Sequence, residues 1–325
     1  MTGDSWDAYW RNARSAAAHQ DGGPQDEVLE QFWTRLFRQV FPNLQTGASL
    51  LDIACGNGAV PRFALATATE TLTDKSIRVY GVDESAAALQ EMRKRHASLG
   101  GIAANALHLP FRNAEFDLVS SQFGMEYAGT DVFIEVARVL RPGGILAAVL
   151  HLHEGGIYRE CEANLQAIDG FRGSGILACF AELFRALLPA RTGAADKARL
   201  ETVDRQFAAA VVAAEAVLRQ WGKNVASGTL LRIYTDIGHM YRRLHAYDAD
   251  ELFNWIEVMS RELDTYSGRM SSMLAAALDD KDFQLALARL EGEGLKVRVR
   301  DTLAFGRQEQ VSAWVVVLEK GSTTR

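Results

Sequence analysis

The segment Leu50-Leu51-Asp52-Ile53-Ala54-Cys55-Gly56-Asn57-Gly58 constrains the fold of this chain more than any other. A short apolar run that ends in a Gly-x-Gly turn reads as a buried parallel strand delivering the chain into a helix. Glycines at such a turn let a ligand approach the backbone, and the first turn of the next helix offers unpaired N–H groups. The same turn also suits a chain that merely needs small residues for packing, so its neighbours must decide.

The neighbouring periodicity predicts a parallel sheet. Ile77–Val82, closed by Asp83, reads as a second strand, followed by Ile102–Ala104, Phe116–Ser121 and Ile145–Leu150. Helical stretches fall after Gly58, over about Ser85–Leu99 and over about Asp131–Leu140, and Pro142-Gly143-Gly144 turns the chain into the fifth strand. Strand and helix alternating at these spacings predict right-handed βαβ units. Ahead of them, two helices are expected on either side of Gly22-Gly23-Pro24, the second running over about Asp26–Val40. From about Gly155 to Gly292 the periodicity is helical throughout. Strand character returns at Leu295–Phe305 and Ser312–Glu319, as a hairpin around the turn-like Gly306-Arg307-Gln308. The expected organisation is an α/β core over residues 1–154 and 293–325, opened by N-terminal helices over 1–44 and interrupted by an all-α insertion over 155–292.

Charge and cysteine usage narrow the function classes. A net charge of -6 argues against a sequence-independent grip on phosphate backbones, so no nucleic-acid partner is expected. Cys55, Cys161 and Cys179 lie far apart with no CxxC pair, which suggests neither zinc nor disulfides and points to a reducing compartment. Asp4 and Asp7 stand where a secretory signal would be apolar, and Phe207–Leu218, interrupted by Glu215, is too short to span a bilayer. A soluble, cytoplasmic protein without membrane insertion is expected.

Further motifs follow the glycine turn. Asp83 ends the second strand, where a carboxylate either accepts both hydroxyls of a ribose or, with Ser85, caps the next helix. Then come Asn105-Ala106-Leu107-His108-Leu109-Pro110-Phe111, Phe116-Asp117-Leu118-Val119 and Val139-Leu140-Arg141-Pro142-Gly143-Gly144. Together these resemble the class I S-adenosylmethionine-dependent methyltransferases of the small-molecule type, over roughly residues 45–151.

The resemblance implies a doubly wound, mostly parallel seven-stranded sheet, Rossmann-like, with the last strand antiparallel and the helical domain inserted between strands 5 and 6. It implies S-adenosyl-L-methionine as cofactor and methyl transfer to oxygen or carbon, less readily nitrogen, of a small organic acceptor. Gly56 and Gly58, with Ala54 standing where glycine is frequent, would lie against the methionine part, and Asp52 would fix that loop and the amino group. Asp83 would hold the ribose and Glu84 would lie beside the adenine. Asn105 stands where the family usually has Asp, its side-chain oxygen still able to accept from the adenine amino group, and Ala106 would offer its N–H to the ring. Ser121, Gln122 and Phe123 would line the transfer site. Tyr9 and Trp10, in Trp6-Asp7-Ala8-Tyr9-Trp10, would close over the cofactor or else anchor a terminal helix.

An activated sulfonium asks mainly for alignment, and a general base is needed only for a nucleophile whose proton has a high pKa. His151 and His153, at the exit of the fifth strand beside Glu154, are the candidate bases. His239, Tyr241, Phe180 and Tyr234 are candidate acceptor contacts in the insertion, together with Phe171, Phe184 and Met240. The insertion is expected to act as a lid or as the platform of a homodimer. No Asn-Pro-Pro-Tyr-like motif follows the fourth strand, which leans against methylation of nucleic-acid bases. Two other functions compete. One is a non-catalytic S-adenosylmethionine-binding module; the other is a nicotinamide-dependent oxidoreductase, against which Gly56-Asn57-Gly58-Ala59-Val60-Pro61 lacks the third small residue of that fingerprint.

Overall fold

A computed structural model of the chain describes residues 2–12, 24–72, 76–97, 99–188, 196–305 and 310–322. Gly22, Gly23 and the turn-like Gly306-Arg307-Gln308 lie outside the described residues. Two compact units result, one of residues 1–159 with 272–325 and the other of residues 160–271.

The first unit holds α1 (Thr2–Asn12), α2 (Pro24–Val40), β1 (Ala48–Ile53), α3 (Ala59–Thr71), β2 (Ile77–Asp83), α4 (Ala86–Arg95), β3 (Gly100–Ala103), β4 (Phe116–Gln122), α5 (Val132–Val139) and β5 (Leu140–His151). The chain then runs through α6 (Gly156–Gly173), α7 (Ile176–Leu187), α8 (Lys197–Trp221), α9 (Thr229–Tyr241) and α10 (Ala249–Ala276). It closes with α11 (Asp280–Gly292), β6 (Leu295–Phe305) and β7 (Gln310–Lys320).

The seven strands order as β3-β2-β1-β4-β5-β7-β6. β1 pairs in parallel with both β2 and β4, and every one of its residues is buried, the polar Ser49 and Asp52 included. β7 runs antiparallel to β5 and to β6, so the final hairpin joins the sheet edge beside β5. The order reverses at β1, and the carboxyl ends of β1, β2, β4 and β5 open onto one edge, where α/β sheets bind ligands. The opposite edge is clamped by Asp117, whose carboxylate accepts from the Ser49 N–H at 2.8 Å and from the Arg141 guanidinium at 2.8 Å.

Two boundaries differ from the sequence reading. β5 begins at Leu140 rather than Ile145, because Leu140 already pairs with Phe116 and a register shift across Pro142-Gly143-Gly144 brings Ile145 opposite Leu118. The helical unit spans 160–271 rather than 155–292, since α11 packs with the sheet. Phe283, Leu287 and Leu290 of α11 are buried in the core that Val136, Leu146 and Leu318 share, and Phe283 stacks on Trp314 at 4.4 Å. The helical unit has its own core around Phe171, Phe180, Phe184, Phe207 and Ile233. There the Asn164 side-chain oxygen accepts from the Ala226 N–H at 2.8 Å, where the backbone turns left-handed at φ 49°. Among the described residues, no helix is long and apolar enough to cross a membrane.

Candidate active site

A cavity of about 690 Å³ opens at the carboxyl edge of the sheet. The ends of β1, β2 and β4 supply Asp52, Asp83 and Gln122 to its walls, and the loops beyond them supply Ala54, Gly56, Glu84, Asn105, Ala106, Phe123 and Tyr127. Trp6, Asp7 and Trp10 of α1 complete it.

Two carboxylates shape the centre, Asp52 buried and Asp83 partly so. Asp83 Oδ2 accepts from the Gly56 N–H and Oδ1 from the Ser85 N–H, each at 2.8 Å. The carboxylate therefore ties the glycine turn to the start of α4, while Ser85 itself caps α4 by accepting from Ala88 N–H at 3.1 Å. Asp83 thus organises the helix start and also lines the cavity, and each oxygen keeps a further lone pair for a ligand donor. Burial raises its pKa against the opposing effect of those two N–H donors. Asp52 is 2% exposed and accepts from Ser120 Oγ at 2.6 Å. Burial pushes its pKa up to about 8, with the charge of Asp83 adding in the same direction.

The glycine turn bends as its residue types allow. Gly56 and Gly58 have φ of 55° and 94°, and Ala54 takes φ 54°, a left-handed conformation that favours glycine. A Cβ on Gly56 would meet the Trp10 ring at 2.8 Å, so α1 is seated on this turn. Gly58 instead faces Met92, 2.7 Å from where a Cβ would stand, and serves the packing of α4 rather than the cavity wall. Asp7 Oδ1 accepts from Ser85 Oγ at 2.8 Å and fixes α1 to the start of α4. Tyr9 lies behind this wall, edge-on to Trp10 at 4.9 Å.

The loop carrying Asn105 and Ala106 is held from below. Arg138 donates to the carbonyls of Phe111 at 2.7 Å and Leu109 at 3.1 Å, while Glu135 accepts from the Leu109 N–H at 2.7 Å. The Glu135–Arg138 ion pair lowers the Glu135 pKa and raises that of Arg138. The Leu-Pro-Phe element and the helix before Arg-Pro-Gly-Gly are thereby one device. Asn105 Oδ1 accepts from the Leu107 N–H at 2.7 Å, which leaves one lone pair of that oxygen for a ligand.

Beyond β4, Ser121 is buried away from the cavity wall, donating to the Ile53 carbonyl at 2.8 Å and accepting from Met125 N–H at 3.1 Å. Gln122 Oε1 accepts from Trp33 Nε1 at 2.7 Å, and Phe123 has φ 52°. Phe123 packs on the ring of His151, centroids 4.6 Å apart, and Tyr127 meets the same ring edge-on at 5.7 Å. His151, the last residue of β5, is 3% exposed, and its Nδ1 lies 2.7 Å from Glu126 Oε1. His153 sits past the strand, its ring tilted against that of Tyr158 with centroids 4.5 Å apart and its backbone N–H on the Leu278 carbonyl.

The candidate acceptor contacts all lie in the helical unit. Phe180, Phe171 and Phe184 are fully buried in its core, Met240 belongs to the same core, and Tyr234 donates to Glu215. Tyr241 is exposed and stacked on Phe207 at 5.3 Å, and His239 is exposed on α9. Sequence reasoning missed Glu126, Tyr127 and the roles of Trp6 and Asp7. A lone acid in the apolar setting Gly124-Met125-Glu126-Tyr127 was the available signal for the first.

Residues 51–148 match the family model described as methyltransferase domain. A demethylmenaquinone methyltransferase of Beutenbergia cavernae is 31% identical over 126 residues, covering 37% of this chain and 49% of that protein. A malonyl-[acyl-carrier protein] O-methyltransferase of Enterobacter lignolyticus is 33% identical over 102 residues, covering 31% of this chain and 38% of that protein. An O-methyltransferase of Aspergillus nomiae is 28% identical over 138 residues, covering 39% of this chain and 58% of that protein. The chain thus spans about half or less of the length of the first two of these relatives.

Proposed function

We propose that this chain, whose residues 51–148 match a methyltransferase domain, is a class I S-adenosylmethionine-dependent methyltransferase that transfers a methyl group to a small organic acceptor. The observation that carries the reading is the pairing of two cavity-lining carboxylates, the buried Asp52 and the partly buried Asp83, around a glycine turn at the switch point of the sheet.

That site fits the cofactor by its chemistry. Carboxylates whose pKa values are raised by desolvation gain most from a cationic ligand, and S-adenosylmethionine carries both an ammonium and a sulfonium. A cavity of about 690 Å³ is of the size that takes a cofactor. When bound, the cofactor supplies an activated methyl group on sulfur. Asp83 would hold the ribose hydroxyls, Asp52 the amino group, and the Asn105–Ala106 loop the adenine. Trp10, Trp6 and Phe123 exclude water and restrict the direction from which an acceptor approaches, and such positioning contributes roughly 7–11 kcal/mol in favourable cases.

Oxygen or carbon is the favoured acceptor atom. Cysteine usage supports a cytoplasmic setting: Cys55, Cys161 and Cys179 are all free thiols. Calorimetric titration with S-adenosylmethionine and separately with NAD(H), on wild type and Asp83→Ala, tests the cofactor. Saturable binding of S-adenosylmethionine, lost in the variant, is expected. Binding of NAD(H) instead refutes the proposal. Release of S-adenosylhomocysteine on an acceptor panel separates an enzyme from a silent binding module.

A further inference from the structure

We infer that Gln122, its amide turned by Trp33, is the donor that holds the carboxylate of the cofactor's methionine end. This deepens the methyl-transfer reading above and rests on it.

The orientation of the amide follows from its partner. Trp33 is fully buried on α2, and its Nε1 lies 2.7 Å from Gln122 Oε1. An indole N–H only donates, so the amide atom that faces it is the oxygen. The amide nitrogen then carries two hydrogens that meet no protein acceptor among the described residues. Gln122 is half-buried at the end of β4 and lines the cavity, whereas Trp33 stands behind that wall. With its oxygen engaged by Trp33, what Gln122 offers the cavity is a pair of N–H donors. A glutamate would accept from the indole equally well; the amide adds those hydrogens.

Position gives these donors their partner. Asp52 stands opposite Ser120 in the parallel β1–β4 pairing and accepts from its Oγ at 2.6 Å. Gln122 lies two residues beyond Ser120 on the same face of β4, next along from the carboxylate to which the cofactor's ammonium is assigned. An α-amino acid end presents an ammonium and a carboxylate together, and an acid beside an amide donor complements that pattern. The Asn105 amide follows β3, at the other end of the strand order β3-β2-β1-β4, and is assigned to the adenine. No Lys, Arg or His is among the described residues that line the cavity, so a ligand carboxylate there depends on neutral donors. A cationic side chain in place of Gln122 would pair with Asp52 and compete with the ammonium, whereas an amide supplies hydrogen bonds without that competition.

Calorimetry on the full chain tests the assignment with two ligands, S-adenosylmethionine and its decarboxylated form, which keeps the ammonium and the sulfonium. Gln122→Met should weaken S-adenosylmethionine about 10–100-fold, as expected for a hydrogen bond to a charged group, and move the decarboxylated ligand by less than about threefold. Gln122→Glu keeps an acceptor for the Trp33 N–H, which preserves the fold, and sets a like charge against the carboxylate. It should weaken S-adenosylmethionine at least as much and leave the decarboxylated ligand as tight or tighter. Trp33→Phe lets the amide turn over and should reproduce part of the selective loss, with thermal unfolding showing that the variant is folded. A glutamine that served only to satisfy Trp33 would weaken both ligands alike, and equal losses overturn the inference. Unchanged binding of both ligands overturns it as well, and slower S-adenosylhomocysteine release in that case moves the amide to the acceptor. A wild type that binds neither ligand refutes the methyl-transfer reading and this inference with it, whereas equal losses in the variants leave that reading standing.

Discussion

Replacing Asp52 by asparagine removes the proton that burial holds on this carboxyl. In the folded chain the pKa of Asp52 stands at about 8 against 3.8 for an exposed aspartate, with desolvation the main cause. A group whose folded pKa is raised binds more protons in the folded than in the unfolded chain between those two values. Its contribution to stability is therefore complete below the unfolded value and is lost as pH climbs toward the folded one. One proton corresponds to about 1.4 kcal/mol per pH unit, so between about pH 5 and about pH 7 Asp52 alone should cost roughly 2.7 kcal/mol. Asparagine keeps an oxygen to accept from Ser120 and has no proton to lose. Urea denaturation of both proteins without cofactor, at three pH values and fixed ionic strength, isolates this slope. Asp83, whose pKa is also raised by burial, contributes to both proteins and largely cancels in the difference. The variant should gain on wild type as pH rises. Parallel stability curves would show that Asp52 stays ionised across the range and would refute the reasoning.

Cofactor binding near pH 7 should release protons, because a ligand ammonium beside Asp52 favours its ionised form; calorimetry in buffers of different ionisation enthalpy reads the number directly. Ala54→Gly relieves a left-handed alanine costing roughly 1–2 kcal/mol, offset by about 0.4–1 kcal/mol of added chain entropy, so thermal unfolding should show a gain of about 0–1.6 kcal/mol. Gly124→Ala should unfold or fail to accumulate, since its Cβ would stand 2.3 Å from that of Ala54, and Ala54→Gly in the same chain should partly restore folding by circular dichroism. Arg138→Ala frees the carbonyls of Leu109 and Phe111 and should cost about 2–3 kcal/mol in denaturant, with weaker S-adenosylmethionine binding because the Asn105 loop loses its tether.

The strands were legible because apolar or alternating stretches end at turns, and β1, buried on both faces, was the plainest of them. The start of β5 was not, because Pro142-Gly143-Gly144 reads as a turn while Leu140 before it still pairs with Phe116. Nor was the allegiance of α11. An amphipathic stripe has the same period whether it packs on a sheet or in a bundle, and only the meeting of Phe283 with Trp314 decides. Asp52 and Asp83 stood out by position at strand ends. Glu126 did not, because its partner is twenty-five residues away and meets it only once β4 and β5 lie side by side.

The cavity wall carries four acidic residues, Asp7, Asp52, Asp83 and Glu84, and no basic one among the described residues. On the proposed function, methyl transfer would turn a sulfonium into a neutral thioether, so the reaction would discharge the ligand that such a wall holds best. Spent cofactor should then leave more readily than fresh cofactor, and each turnover should tend to clear its own site. Added salt, by screening the acidic wall, should narrow the gap in affinity between S-adenosylmethionine and S-adenosylhomocysteine and so make the protein more prone to inhibition by its own product.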